Sequence, residues 1–173
     1  MPGTGSPALV ASRLLLQLCR LLNLLTGVGL VVALVASFPF ADAFADFFAK
    51  RPVPGGAGWL LVVLRTWMVV ALPMVGLVHV FLTRLLEVVG TVRDGDPFVP
   101  ANAVRLRTIA WCGFALECLR FVFGVFAGAM DAAGSDIPWS FSLSGWLAVG
   151  LLFVLAQVFA EGTRLRTDLD GMV

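Results

Sequence analysis

Four long apolar stretches, Leu14–Phe38, Trp59–Val89, Val104–Gly128 and Leu143–Thr163, constrain this chain more than any other feature. Each reaches or exceeds the ~20 residues needed to cross a hydrocarbon layer of ~30 Å. Inside a bilayer the backbone must satisfy its own hydrogen bonds, which leaves only helices and closed barrels. Barrel strands alternate in polarity over ~10 residues, and these stretches do not. The expectation is therefore an all-α integral membrane four-helix bundle, one membrane domain over residues 1–173. Composition agrees, with 60% hydrophobic and 13% charged residues, against roughly 45–50% and 25% in soluble domains. The formal net charge of +1 provides no bulk basic field, so no direct binding of nucleic acid is expected.

Arginine and lysine near span ends set orientation. Arg13 and Arg20 accompany the first span, Arg84, Arg93, Arg105 and Arg107 surround the connection between the second and third, and Arg164 and Arg166 follow the fourth. The opposite side carries Lys50 and Arg51, while the loop around Asp131 and Asp136 has no basic residue. Both termini are therefore expected in the cytoplasm of a multi-pass plasma-membrane protein. Ala41-Asp42-Ala43 fits a signal-peptidase pattern, but the apolar run before it exceeds the usual 7–15 residues, so the first span is read as retained. Phe44, Phe47 and Phe48 share a helical face, with Asp42, Asp46 and Lys50 mostly elsewhere, which predicts a short interfacial helix in the first outer loop. Pro52, Pro54, Gly55, Gly56 and Gly58 then turn the chain towards Trp59; Trp59, Trp139 and Trp146 suit an aromatic belt. Pro73 should kink the second span, which is longer than a bilayer requires.

Polar groups inside the spans fall into two sets. Glu117 and Arg120 stand at i, i+3 on the face that also carries Gly113 and Gly124, and Arg65 should lie at a similar depth. Glu117 could thus sit between two guanidinium groups, either as a structural ion pair or as part of an ion pathway. Nearer the cytoplasm, Asn23 and Gly27, then Gly76, His79, Thr83 and Glu87, then Gly150, Gln157 and Glu161 could form a polar, small-residue seam. One histidine without a second His or Cys is poor evidence for zinc or haem, and no metal or cofactor is expected. Cys19, Cys112 and Cys118 form no CxxC pair and read as small apolar residues.

The more distinctive segments lie outside the spans. Arg93-Asp94-Gly95-Asp96-Pro97-Phe98-Val99-Pro100-Ala101-Asn102 combines turn-forming pairs with a lone aromatic, and Val104-Arg105-Leu106-Arg107 follows it. Phe98 should anchor against a helix end, and Pro100 suits the first position of the third long helix. The second segment runs from Val158 to Val173 and ends on an apolar pair, Met172 and Val173.

The pattern Gly95-Asp96-Pro97-Phe98 with Asn102 and Leu106, together with Phe159, Gly162, Leu165, Asp168 and Gly171-Met172-Val173, resembles the bacterial four-span family called domain of unknown function 2975. The resemblance covers essentially the whole chain and implies no established activity. It does imply the membrane half of a gene pair whose other half is a small helix-turn-helix regulator. No Ser/His/Asp set, phosphate loop or zincin motif appears, so an enzyme is not expected. The favoured expectation is a membrane-embedded regulatory protein that binds or sequesters such a regulator at its cytoplasmic face, with the bilayer and a homo-oligomer as further partners. Candidate partner-binding residues are Arg93, Asp96, Phe98, Asn102, Arg105, Arg107, Leu165, Asp168, Leu169, Met172 and Val173. The loop at 95–102 is expected to pack on the tail at 165–173, with Asp168 and Asp170 near Arg93, Arg105 and Arg107. The alternative is a small transporter or channel subunit built on Arg65, Glu117 and Arg120.

Overall fold

A computed structural model describes residues 7–48, 56–131 and 142–170. The described residues form helices α1 (Pro7–Ala36), α2 (Ala41–Phe48), α3 (Gly56–Arg93), α4 (Pro100–Asp131) and α5 (Leu143–Asp170). Four of them, α1, α3, α4 and α5, are long and apolar enough to cross a membrane. The protein is thus all-helical among the described residues, with four membrane-length spans. α3 and α4 run past both ends of their apolar stretches, α5 continues beyond Thr163 to Asp170, and α1 begins seven residues before Leu14 but ends at Ala36, short of Phe38. At ~1.5 Å per residue α3, with 38 residues, is much longer than a ~30 Å layer. It continues as one element through Pro73. The short helix expected around Phe44 is α2. Trp139 and the pair Lys50 and Arg51 lie outside the described residues.

The chain divides into two compact units. One contains α1 up to Asn23, α3 from Leu77, α4 up to Glu117, and α5. Its core joins Val88 of α3, Leu106 and Ile109 of α4 and Ala156 of α5, with Phe81, Leu85, Leu152 and Phe159 packed around them. Along α4 and α5 a run of edge-to-face aromatic pairs links Phe153 to Trp111, Trp111 to Phe114 and Phe114 to Trp146. Such pairs are worth about 0.5–1.5 kcal/mol each beyond area burial. Gly113 faces α5, where a Cβ would stand in ordinary van der Waals contact with Val149 at 3.4 Å.

The other unit contains α1 from Leu24, α2, α3 up to Gly76, and α4 from Cys118. Here α1 and α3 approach at Gly27, where a Cβ would come within 2.9 Å of Val75 Cγ1. Trp67 of α3 packs edge-on against Phe123 of α4 at 4.7 Å. Leu14, Leu15, Leu18, Leu21, Leu25 and Val32 of α1 are all exposed. So wide an apolar surface is unfavourable in water and natural in lipid, where helices pack through small residues instead of by hydrophobic exclusion.

Candidate functional site

The most elaborate polar structure surrounds the connection from α3 to α4. It begins with the end of α3. Gly95 has φ of 87°, the left-handed conformation that glycine adopts without a Cβ penalty. The Gly95 N–H donates to Val92 O at 3.2 Å and the Asp96 N–H to Thr91 O at 3.1 Å. These two bonds make a Schellman cap, which satisfies carbonyls that the end of α3 would otherwise leave open. Pro97 follows, where a continuing helix would need an N–H. Pro100 then opens α4 at a position whose N–H has no helical partner in any case.

Asn102 ties the turn together and is completely buried. Its Nδ2 donates to Thr91 Oγ1 at 2.6 Å and to Pro97 O at 2.9 Å. Its Oδ1 accepts from Arg105 NH1 at 2.9 Å. Arg105 Nε reaches Glu87 Oε2, also at 2.9 Å, and Glu87 accepts from Arg84 as well. One side chain thus joins the last turns of α3, the loop and the first turn of α4.

The loop also docks on α5. The Phe98 ring stacks on Phe159 with centroids 5.4 Å apart. Gly162, one turn further along α5, leaves room for it: a Cβ there would lie 3.3 Å from the ring. Asp96 accepts a hydrogen bond and ion pair from Arg166. Phe98 remains 41% exposed, so the dock presents an aromatic edge instead of enclosing it.

The loop meets α5 at Arg166, inside the expected 165–173 segment, and also one to two turns earlier, at Phe159 and Gly162. Leu165 and Asp168 lie on the exposed side of α5. Leu165 stands ~100° round the helix from Arg166, and it is Arg166 that meets the loop. Arg105 meets Glu87 and Asn102, where Asp168 or Asp170 had been expected. Arg93 ends α3 and is exposed; Arg107 is exposed on α4. Leu169 lies within α5, although its side chain is outside the described residues, as are Met172 and Val173 altogether. Sequence reasoning did not include Thr91, Phe159, Gly162 or Arg166 among the site residues. A usable signal was present for Gly162: a helical glycine at i+3 from a phenylalanine marks a place where another ring can approach.

Within the spans, Arg65 takes a partner that the sequence reading did not give it. Arg65 donates from Nε to Ser37 Oγ at 3.1 Å and from NH2 to Ser37 O at 2.5 Å, and its guanidinium lies 4.3 Å over the Phe38 ring. It thereby caps the C-terminal end of α1, where a cation meets open carbonyls and the negative end of the helix dipole. Glu117 lies against the first turn of α5, and Arg120 is on an exposed face. Asn23 and His79 are half-buried, but Gln157 and Glu161 fall on the exposed side of α5 and do not enter an inward-facing seam. The inward row of α5 is Val149, Ala156 and Thr163 with their neighbours, and Gln157 is rotated ~100° from Ala156. Among the described residues no group of three or more His, Cys, Asp or Glu is placed to hold a metal ion.

A family model described as "Protein of unknown function (DUF2975)" matches residues 30–173. No curated protein and no solved structure matches the chain.

Proposed function

We propose the following reading for this chain, which belongs to the DUF2975 family of proteins of unknown function: it is a membrane-embedded regulatory protein whose α3–α4 loop, docked on α5, forms the binding surface for a small soluble helix-turn-helix regulator. The observation that carries the reading is the joining of the two family-like motifs into one surface. Phe98, from the first motif, rests on Phe159 and Gly162 of the second, and Asp96 pairs with Arg166. An exposed pair such as Asp96–Arg166 contributes only about 0–1 kcal/mol, so it sets register more than strength. A half-exposed aromatic framed by turn residues and charges suits a protein contact, because aromatics and arginines dominate the energetics of interfaces. Arg65 bonded to Ser37 supports a structural role for that arginine over a conducting one.

The test is co-purification from membranes, in mild detergent, with a small helix-turn-helix regulator of the kind that the family resemblance implies. Phe98→Ala is expected to lower capture at least tenfold, the loss of a ~1.4 kcal/mol contact, with expression and elution profile unchanged. Undiminished capture by Phe98→Ala would remove the dock from the functional surface.

This reading requires the dock to face the cytoplasm, with both termini on the same side. The positions of Arg13, Arg20, Arg84, Arg93, Arg105, Arg107, Arg164 and Arg166 support that orientation. Single cysteines placed on a cysteine-free background at Arg93 and at Asp131 report on it. A membrane-impermeant thiol reagent added outside intact cells is expected to label Asp131→Cys and to spare Arg93→Cys. The reverse pattern would invert the topology.

A further inference from the structure

We infer that a cleft between α4 and α5 binds one anionic phospholipid, with its phosphate at Arg107 and an acyl chain along the groove. The cleft has a volume of about 410 Å³ and is open along one side. This lies within the ~300–1,000 Å³ typical of ligand clefts. Ala103, Ala156 and Ala160 keep it shallow-walled, Trp111 and Phe153 supply an aromatic wall, and Arg107 and Gln157 are its polar members. No acid lines it.

Polarity is graded along the cleft. Val104, Arg107 and Trp111 succeed one another on a single face of α4 at spacings of three and four, as Phe153, Gln157 and Ala160 do on α5. Continuing that row of α5 by four residues reaches Arg164, which is exposed. The cationic groups therefore gather towards the α3–α4 loop and the aromatic groups lie deeper in the span. Arg107 stands seven residues into α4, about 10 Å from its start at ~1.5 Å per residue. A guanidinium at that depth extends towards the headgroup level, where it can form paired hydrogen bonds to a phosphate. Glu161, the nearby acid on α5, is not among the lining residues. Charge complementarity thus selects an amphipathic occupant with an anionic head, and the apolar floor selects one with a hydrocarbon chain.

The experiment is native mass spectrometry of the full chain in mild detergent, titrated separately with phosphatidylglycerol, phosphatidylcholine and glycerol phosphate. The expected result is retention of one phosphatidylglycerol in preference to phosphatidylcholine. Arg107→Gln should lower that preference about tenfold, the loss expected for one charge-assisted contact. Ala160→Phe, which fills the groove without changing charge, should weaken both lipids. Arg93→Gln, at an exposed arginine outside the cleft, should leave the preference intact. Circular dichroism and monodisperse elution establish that each variant is folded, and Ala160→Phe tests the site even if Arg107→Gln is not. An unchanged preference in Arg107→Gln would overturn the proposal, as would an equal loss in Arg93→Gln. Binding of glycerol phosphate as tight as that of the lipid would make the site one for a soluble anion. A lipid-free dimer that dissociates only in Ala160→Phe would make the groove a contact between two copies of the chain. Either result would overturn the lipid assignment.

Discussion

Replacing Asn102 with alanine is expected to lower stability by about 3 kcal/mol, through the loss of one fully buried side chain that serves three partners. Thr91 can turn its hydroxyl elsewhere, and Arg105 keeps Glu87. The carbonyl of Pro97 cannot move, because the Schellman cap before it and Pro100 after it fix the loop. An unmet buried carbonyl costs ~1–3 kcal/mol, and the side-chain void adds to that. Thermal unfolding in detergent, followed by circular dichroism, measures the loss. Asn102→Asp separates the contributions. It keeps an acceptor for Arg105 but turns lone pairs towards Pro97 O and Thr91 Oγ1, where the amide donated. It should be at least as damaging as Asn102→Ala. Wild-type stability in Asn102→Asp would show that the contact with Arg105 alone accounts for what this side chain contributes.

A second effect is expected at Gly145, where a change that normally favours a helix should mildly disfavour this one. Gly→Ala inside a helix typically gains up to ~1 kcal/mol. Here a Cβ would stand 2.6 Å from Glu117 Cδ and 2.9 Å from its Oε2. Glu117 rests against the third residue of α5, where the positive end of the helix dipole favours a carboxylate. Ser142 caps the same turn, its Oγ accepting from the Gly145 N–H at 3.3 Å. The carboxylate is the far end of a flexible side chain and can swing aside, so the cost of Gly145→Ala is its displacement from the helix N-terminus, about 0.5–1 kcal/mol. The sign of the change then provides the control. In a Glu117→Ala background the obstruction is gone, and Gly145→Ala should become neutral or mildly stabilising. Additive losses in the double variant would mean that Gly145 and Glu117 do not touch.

Several features were legible in the chain because they depend on local pattern. Apolar runs of membrane length require helices, since nothing else of that length satisfies the backbone in lipid. The three phenylalanines around Phe44 announced α2 by their spacing, and Gly95 and Pro100 announced the end of α3 and the start of α4. The family-like motifs were visible as segments, but their mutual contact was not. Rotation of α5 about its axis decides whether Leu165 or Arg166 meets the loop. That rotation is set by Val149, Ala156 and Phe159 packing on α4 and α3, none of which is a neighbour of Asp96 or Phe98 in sequence.

The charged groups make the same point. Arg65, Glu117 and Arg120 share similar depths by residue count, which suggested a single cluster. In the fold Arg65 turns to the end of α1 at Ser37, and Glu117 to the start of α5 at Gly145. Helix ends offer unpaired carbonyls and N–H groups, strong partners that a reading of side-chain charges alone does not count. What the sequence by itself determined was the number of spans and the polarity of each segment, because membrane thickness and backbone satisfaction act on consecutive residues. What only the tertiary structure decided was which partner each polar side chain takes, because that depends on helix rotation and on helix ends that meet across long stretches of chain.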